Sequence, residues 1–456
     1  MNRERLIVIG GVAAGMSAAS RARKLKPDME ILVFEKGGYV SYAGCGLPYL
    51  ISDKVKSSDR LVVYDAKFFK EKRNIDVFLH HEVKRIFTQR KAVMVRNIAT
   101  GEGKEYPYDK LLIATGARPF VPPIKGMDSA GVFTLRPLED GIAIKEYIGR
   151  NSPKQGLLIG AGYIGMEMAE SFAEAGLKVT LLEKMPNILG TMDSEITEII
   201  EQELNRNNVT LLKSKAVVEF AGENSHLRRA ILDNGESLDA DIAVVGAGLR
   251  PNSEIAKDAG IELGKTGAIK VNQRMETNIP DIYAAGDCAE AYHLVLNRNV
   301  YIPLATTANK QGRAAGENIA GGSASFPGIV GTAIFKVFDL EVGRTGITEK
   351  EAKAEGIEYA ANVIEHGSRA PYYPGVSPIR IKLLADKKTG RLLGAQMVGR
   401  EGVSKRIDVF ATAITAKMSV HEIRDLDLGY APPFAPPYDP ILIAADELHK
   451  KLPDKR

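Results

Sequence analysis

Apolar positions along this chain fall into short continuous runs, each followed by a glycine-rich turn and a stretch with helical spacing. Leu6-Ile7-Val8-Ile9 is the first run and leads into Gly10-Gly11-Val12-Ala13-Ala14-Gly15. A helix is predicted over 16–25, and a second strand, Ile31-Leu32-Val33-Phe34, ends at Glu35. That acid stands about 20 residues after the last loop glycine, the offset expected of a dinucleotide-binding β-α-β unit. The order then returns: Gly156-Leu157-Leu158-Ile159 precedes Gly160-Ala161-Gly162-Tyr163-Ile164-Gly165, a helix over 166–175, and a strand over 178–182 ending at Glu183. Each unit closes on an apolar run ending in glycine: Leu111-Leu112-Ile113-Ala114-Thr115-Gly116 in the first and Ile242-Ala243-Val244-Val245-Gly246-Ala247-Gly248 in the second.

Two such units predict two bound dinucleotides. Glycines let the backbone turn tightly beside a pyrophosphate, and the next helix points free N–H groups and a positive dipole end at it. The acid at the second strand accepts hydrogen bonds from a ribose diol. Val12 stands where the fingerprint has its middle glycine, which predicts a slightly displaced pyrophosphate in the first unit.

Beyond Ser323 no nucleotide loop occurs. Strands are expected near 332–337, 357–365 and 379–384, with a helix over 404–417. The stretch Tyr430-Ala431-Pro432-Pro433-Phe434-Ala435-Pro436-Pro437-Tyr438 carries too much proline for a helix or a central strand and reads as a rigid extended loop.

Composition adds bounds. The 456 residues suffice for two or three domains, and 45% apolar with 26% charged content is ordinary for a globular protein. A net charge of +4 gives no case for nucleic acid, and no apolar run reaches membrane-spanning length. The first strand begins too early for a signal peptide to precede it. Two cysteines, Cys45 and Cys288, make no disulfide framework, so a reducing cytoplasm is expected. His80-His81-Glu82 lacks metal-ligand spacing with any other His or Cys, and no metal site is expected.

The residues Gly10 to Arg21 and Tyr39-Val40-Ser41-Tyr42-Ala43-Gly44-Cys45-Gly46-Leu47-Pro48-Tyr49, with Tyr372-Tyr373-Pro374-Gly375 and Tyr430-Ala431-Pro432-Pro433, carry a resemblance. Over nearly its full length the chain resembles the pyridine nucleotide–disulfide oxidoreductase superfamily. It is most similar to the single-cysteine branch, the coenzyme A–disulfide reductases with related NADH oxidases, NADH peroxidases and persulfide reductases. The implied fold is α/β: two Rossmann-like domains of glutathione-reductase type plus an α+β dimerisation domain. The FAD domain is expected over 1–118 and 249–322, the NAD(P)H domain over 119–248, and the dimerisation domain over 323–456.

The resemblance also implies roles. Thr277 to Asp287 resembles the second FAD motif, with Asp287 on the ribityl hydroxyls. FAD is expected against Gly10, Val12, Ala13, Ala14, Gly15, Glu35, Lys36, Ser41, Val83, Ala114, Thr115, Gly116, Asp287, Ala305 and Thr306. NAD(P)H is expected against Gly160, Gly162, Tyr163, Ile164, Gly165, Glu167, Glu183 and Gly248. Tyr163 would cover the flavin, and Glu167 would hold the carboxamide or a flavin-side Lys. Glu183 would repel a 2′-phosphate and favour NADH. Coenzyme A is expected at Ser20, Arg21, Arg23, Ser41, Gly44, Cys45, Lys56 and Arg60, where cations flank the thiol. Cys45 is the expected redox sulfur, its thiolate favoured by the helix start at Gly46-Leu47-Pro48. Tyr430 and Tyr373, or its neighbour Tyr372, would approach that thiol from the other subunit of a homodimer.

Departures narrow the activity. No second cysteine lies near Cys45, so its disulfide partner is expected to be a diffusible thiol. Ala13 occupies the place where peroxide and oxygen reducers of the branch carry His. Gly44 stands where coenzyme A–disulfide reductases often have Asn, which leaves the identity of the thiol open. The expected activity is therefore NAD(P)H-dependent reduction of coenzyme A disulfide or of related persulfides and polysulfides. An NADH oxidase releasing hydrogen peroxide and a redox-controlled binding protein are the alternatives. Cys288, next to Asp287 in a turn, is expected to be structural.

Overall fold

The computed structural model describes residues 3–453, so 1–2 and 454–456 at the ends of the outer expected spans lie outside the described residues. Three sheets organise it. The first has five parallel strands in the order Ile282–Ala284, Lys110–Ile113, Arg5–Ile9, Glu30–Phe34 and Asp76–Phe78. Strand order reverses beside Arg5–Ile9, which opens a crevice at the carboxyl ends of the strands. The glycine loop 10–15 occupies that edge. The second sheet repeats the plan with Thr210–Lys213, Lys178–Glu183, Gln155–Ile159, Ile242–Val245 and Val132–Phe133, all parallel. Because Ile282–Ala284 follows the second unit in sequence yet joins the first sheet, the chain crosses between units twice. The two crossings, Ala117–Pro119 and Leu249–Pro251, pair antiparallel as a short ribbon.

The two loops superpose in their chemistry. Gly10 and Gly160 have φ of +100° and +99°, a region that favours glycine. A Cβ at Gly15 would lie 1.9 Å from the Gly10 carbonyl oxygen, and one at Gly165 2.0 Å from that of Gly160. The middle position is different. Val12 has φ −100° and Gly162 φ −87°, both ordinary for any residue. Valine at this position therefore needs no left-handed φ. Helices begin directly after the loops, Ala13–Leu25 and Tyr163–Glu174, and neither N-terminus carries a side-chain cap. Their first N–H groups remain available to a ligand.

The third unit is a five-stranded antiparallel sheet, ordered Ala333–Val337, Leu340–Gly346, Leu392–Gly399, Pro378–Asp386 and Tyr359–Gly367, with the helix Val403–Thr415 laid across it. Leu340–Gly346 and Leu392–Gly399 are strands the sequence pattern did not single out. The segment 430–438 forms neither helix nor strand and runs to Asp439, whose side chain caps the helix Pro440–His449. One apolar cluster joins all three units: Leu47 and Leu50 meet Met166, Met168 and Phe172 of the second, and Phe335 and Val337 of the third. Among the described residues no helix is long and apolar enough to cross a membrane.

Candidate active site

Cys45 lies in a 3₁₀ turn, Gly44–Gly46, that runs directly into the short helix Leu47–Ile51 with Pro48 in its first turn. Three ties fix this segment. The Ser41 N–H donates to the Gly11 carbonyl at 2.9 Å, attaching it to the first glycine loop. Ala43 N–H donates to the Leu61 carbonyl at 2.8 Å. On the opposite side the Ser171 hydroxyl, from the second unit's helix, donates to the Pro48 carbonyl at 2.8 Å. The cysteine turn is thus clamped between the two nucleotide units.

Cys45 opens onto a cavity of about 2030 Å³. Pockets for one drug-sized ligand run to roughly 1,000 Å³, so this space admits more than one molecule. Its walls include most of the residues expected at FAD: Gly10, Val12, Ala13, Ala14, Glu35, Lys36, Ser41, Val83, Ala114, Thr115, Gly116, Asp287 and Ala305. Gly15, buried beneath the loop, and Thr306, exposed at the start of the helix Ala305–Ile319, do not border it. Glu35 holds the first loop itself: its carboxylate accepts from Gly11 N–H and Gly37 N–H, both at 2.8 Å. Glu183 does the same in the second unit, accepting from Ala161 N–H at 2.9 Å and Met185 N–H at 2.8 Å. A carboxylate has about four acceptor sites, so each acid keeps capacity for a ribose diol. Glu35, the uncapped start of Ala13–Leu25 and Asp287 together offer this cavity acceptors and donors of the kind a dinucleotide can use.

One residue that the sequence pattern did not mark stands at the centre. Arg136, from the connection between Val132–Phe133 and the helix Leu138–Asn151, forms an ion pair with Asp287. Its backbone N–H donates to Asp140 at 3.0 Å, which fixes the connection. Arg136 is a cation acting on Cys45. Partial burial pushes the Cys45 thiol up, the Glu167 carboxyl and then Asp287 add to the rise, and Arg136 opposes it. Tyr42, also in the wall, is pushed up to about 12 by burial and by Glu35 and Glu139. The protein's own groups therefore do not make Cys45 an unusually acidic thiol, contrary to the expectation from its helix start.

From the second loop only Ile164 and Glu167 among the expected NAD(P)H residues reach the cavity. Gly160, Gly162, Gly165, Glu183 and Gly248 lie outside it. Tyr163 is turned away: its ring packs edge-on against Phe335 at 4.8 Å, and its hydroxyl lies 3.1 Å from that of Thr191.

The expected coenzyme A cations are redistributed. Lys56 and Arg60 do not border the cavity; they are exposed beyond the cysteine helix. Arg21 borders it but pairs with Glu317, and Arg23 donates to the Pro27 and Asn74 carbonyls. The cations at the mouth are instead Lys24, Lys72, Arg73 and Arg313. Arg73 donates to the Ser20 hydroxyl and lies 5.2 Å from the centre of the Tyr64 ring. Tyr64 is exposed and could stack a flat base. The signal in sequence was Lys70-Glu71-Lys72-Arg73 closing a helix, a run that resembles any solvated surface.

Tyr372 and Tyr430 meet at 3.1 Å between hydroxyls and remain exposed. Tyr373 is half-buried, with the Arg369 guanidinium 5.7 Å from its ring. None of the three borders the cavity of its own chain. Cys288 is fully buried, and its thiol donates to the Ile113 and Ala285 carbonyls at 3.4 Å. Among the described residues no cluster could hold a metal ion.

Two parallel sheets, each with a glycine loop at its carboxyl edge, an exposed thiol on a segment held between them and an antiparallel third unit define a two-dinucleotide oxidoreductase. The chain belongs to the pyridine nucleotide-disulphide oxidoreductase family: that family matches residues 4–312, and its dimerisation domain matches 332–439. The family implies FAD and NAD(P)H as cofactors, and the dimerisation domain implies a homodimer. The chain is 42% identical to the NAD(P)H sulfur oxidoreductase (CoA-dependent) of Pyrococcus furiosus, over 98% of this chain and 99% of that protein. It is 34% identical to a coenzyme A disulfide reductase of Staphylococcus aureus, over 95% and 97%. The solved structure of an NAD-dependent persulfide reductase from A. fulgidus is similar with a TM-score of 0.95 and 41% identity, covering 98% of this chain and 83% of that one.

Proposed function

We propose that this protein reduces coenzyme A disulfide, or a related coenzyme A persulfide or polysulfide, with electrons from NAD(P)H, using Cys45 as its single redox sulfur. The carrying observation is one exposed thiol, with no second cysteine in reach, on the wall of a cavity large enough for a flavin dinucleotide and a second ligand. Glu35, Asp287 and the first loop would hold FAD, which would supply the electron path from the nicotinamide to sulfur. The Cys45 thiolate attacks a substrate disulfide, one sulfur leaves as a thiolate, and a mixed disulfide forms. Tyr64 and Arg73, with Lys24, Lys72 and Arg313, suit the adenine and phosphates of coenzyme A. They replace Lys56 and Arg60 in that role, while Ser20, Arg21, Arg23, Ser41 and Gly44 line the way to the thiol.

The second loop takes the nicotinamide dinucleotide, with Glu183 favouring NADH because a carboxylate repels a 2′-phosphate. In a homodimer, Tyr372 and Tyr430 of one subunit reach Cys45 of the other and donate hydrogen bonds to its thiolate. The Tyr372 contact raises the Tyr430 hydroxyl above its ordinary range, which suits it to donating a hydrogen bond and not to losing its proton. Two unpaired thiols accord with a reducing cytoplasm.

The test is anaerobic NAD(P)H oxidation with coenzyme A disulfide, polysulfide and no acceptor. Turnover only with a sulfur acceptor, lost in Cys45→Ser, is the expected result. Turnover that requires oxygen, yields hydrogen peroxide and survives Cys45→Ser contradicts it.

A further inference from the structure

The two glycine loops are each fixed by a matching pair of ties, and the second tie leads to different parts of the molecule. In each loop the residue after the first glycine is held at both backbone groups. Gly11 N–H donates to Glu35 at 2.8 Å, and its carbonyl accepts from Ser41 N–H at 2.9 Å. Ala161 N–H donates to Glu183 at 2.9 Å, and its carbonyl accepts from Leu189 N–H at 2.9 Å. Ser41 belongs to the cysteine segment. Leu189 begins the segment 189–195, which enters the helix Ser194–Arg206. The Thr191 hydroxyl of that segment also lies 3.1 Å from the hydroxyl of Tyr163, the first residue of the helix after the loop.

The third unit grips 189–195 with a row of buried polar side chains. Arg344, Gln396 and Lys382 lie in register across three neighbouring strands, Leu340–Gly346, Leu392–Gly399 and Pro378–Asp386, and so share one face of the sheet. They meet alternate residues of the segment. Arg344 donates to the Thr191 carbonyl. The Gln396 side-chain oxygen accepts from Asp193 N–H, and its amide donates to the Asp193 carboxylate, both at 2.7 Å. The Lys382 ammonium lies 2.9 Å from both Glu195 carboxylate oxygens and 3.2 Å from Asp193. It also reaches Glu349 at 2.8 Å, so one ammonium, on a side chain 4% exposed, holds three carboxylates together. Asp193 stands at the N-cap of its helix, where such a carboxylate ordinarily accepts from the helix's own N–H groups. It makes no such bond and is turned to the third unit instead. Polar side chains buried in a sheet are costly unless paired, and each of these three finds a partner in this segment.

We propose that Lys382 and Gln396 of the third unit are positioning residues for the nicotinamide dinucleotide: they hold 189–195, and through the Leu189–Ala161 bond they keep the second glycine loop in the shape that takes a pyrophosphate. The inference rests on the reading that the second loop binds NAD(P)H and is independent of which sulfur compound accepts the electrons. Both side chains act through Asp193 or Glu195. Without the Lys382 ammonium, Asp193, Glu195 and Glu349 remain as three carboxylates facing one another at a buried contact, and the segment parts from the sheet. Without the Gln396 amide, the segment loses two hydrogen bonds and no charge is stranded, so the loosening is smaller.

The experiment uses the full-length flavin-loaded protein with Lys382→Met and the milder Gln396→Met, both checked for flavin content and thermal stability. Two readouts are taken, neither of them turnover. One is the dissociation constant for NAD⁺ and for NADP⁺, by titration calorimetry of the oxidised protein. The other is hydrogen–deuterium exchange, without nucleotide, of the peptides containing Leu189 and Ser41. In Lys382→Met the dissociation constant is expected to rise about tenfold and the Leu189 peptide to exchange faster. Gln396→Met should move both the same way by less, and it decides the matter if Lys382→Met does not fold. The Ser41 peptide, which carries the matching tie of the first unit, should exchange as in the wild type. Folded variants that keep the wild-type dissociation constant, whatever their thermal stability, overturn the positioning role, as do variants in which Ser41 loosens as much as Leu189. A wild type that binds neither nucleotide overturns the reading of the second loop and this inference with it. A wild type that binds one of them yet reduces no disulfide overturns only the acceptor proposed above.

Discussion

Cys45 and Cys288 are the same side chain in opposite settings. Cys45 occupies a turn whose neighbours, Gly44 and Gly46, leave the sulfur facing open cavity. Cys288 follows the Gly-Asp turn and is sealed beneath it, its thiol spent on two carbonyls. Burial raises both thiols, so acidity alone does not separate them. Position does: Cys45 is reachable, borders the large cavity, and lies where the two nucleotide units converge. Reactivity here is a property of what the fold places opposite a sulfur.

The largest effect expected from this contrast is on turnover. Cys45→Ser should lower anaerobic disulfide reduction to the uncatalysed level while bound flavin is still reduced by NAD(P)H, whereas Cys288→Ser should keep kcat per folded protein. Next come the hydroxyls proposed to hold the Cys45 thiolate. Tyr372→Phe and Tyr430→Phe should each lower kcat about tenfold, the worth of one charge-assisted hydrogen bond, and Tyr373→Phe should leave it unchanged. In stability the order reverses. Cys288→Ser should cost about 1–3 kcal/mol in chemical denaturation, because a more polar group enters a dry site, and Cys45→Ser should cost almost nothing. The smallest change tests the turn itself. The nearest heavy atom to a Cβ at Gly44 would be 3.8 Å away, on Tyr42. Gly44→Asn should therefore leave stability within about 0.5 kcal/mol and register only in the KM for coenzyme A disulfide.

Much of this was legible in the sequence because the glycine loops and the cysteine turn are local. Gly10, Gly15, Gly160 and Gly165 are demanded by contacts within a few residues, and so they fix their elements wherever they occur. Arg136 was not legible: its partner Asp287 is 151 positions away, and a lone arginine before a helix carries no pattern. Lys56 and Arg60 misled for the same reason, since closeness to Cys45 in sequence says nothing about which side of a helix end a charge faces. Leu392–Gly399 is buried along its whole length, and such an apolar run with glycines at both inner and outer positions has no period to reveal a strand.

The central claim is that Cys45 alone forms a mixed disulfide with a diffusible thiol. Anaerobic incubation of the pre-reduced protein with coenzyme A disulfide, without NAD(P)H, followed by intact-mass and peptide-mass measurement, tests it directly. The account predicts one coenzyme A adduct per chain, confined to the peptide containing Cys45 and removed by a reductant. An unmodified chain, or an adduct on Cys288, contradicts it.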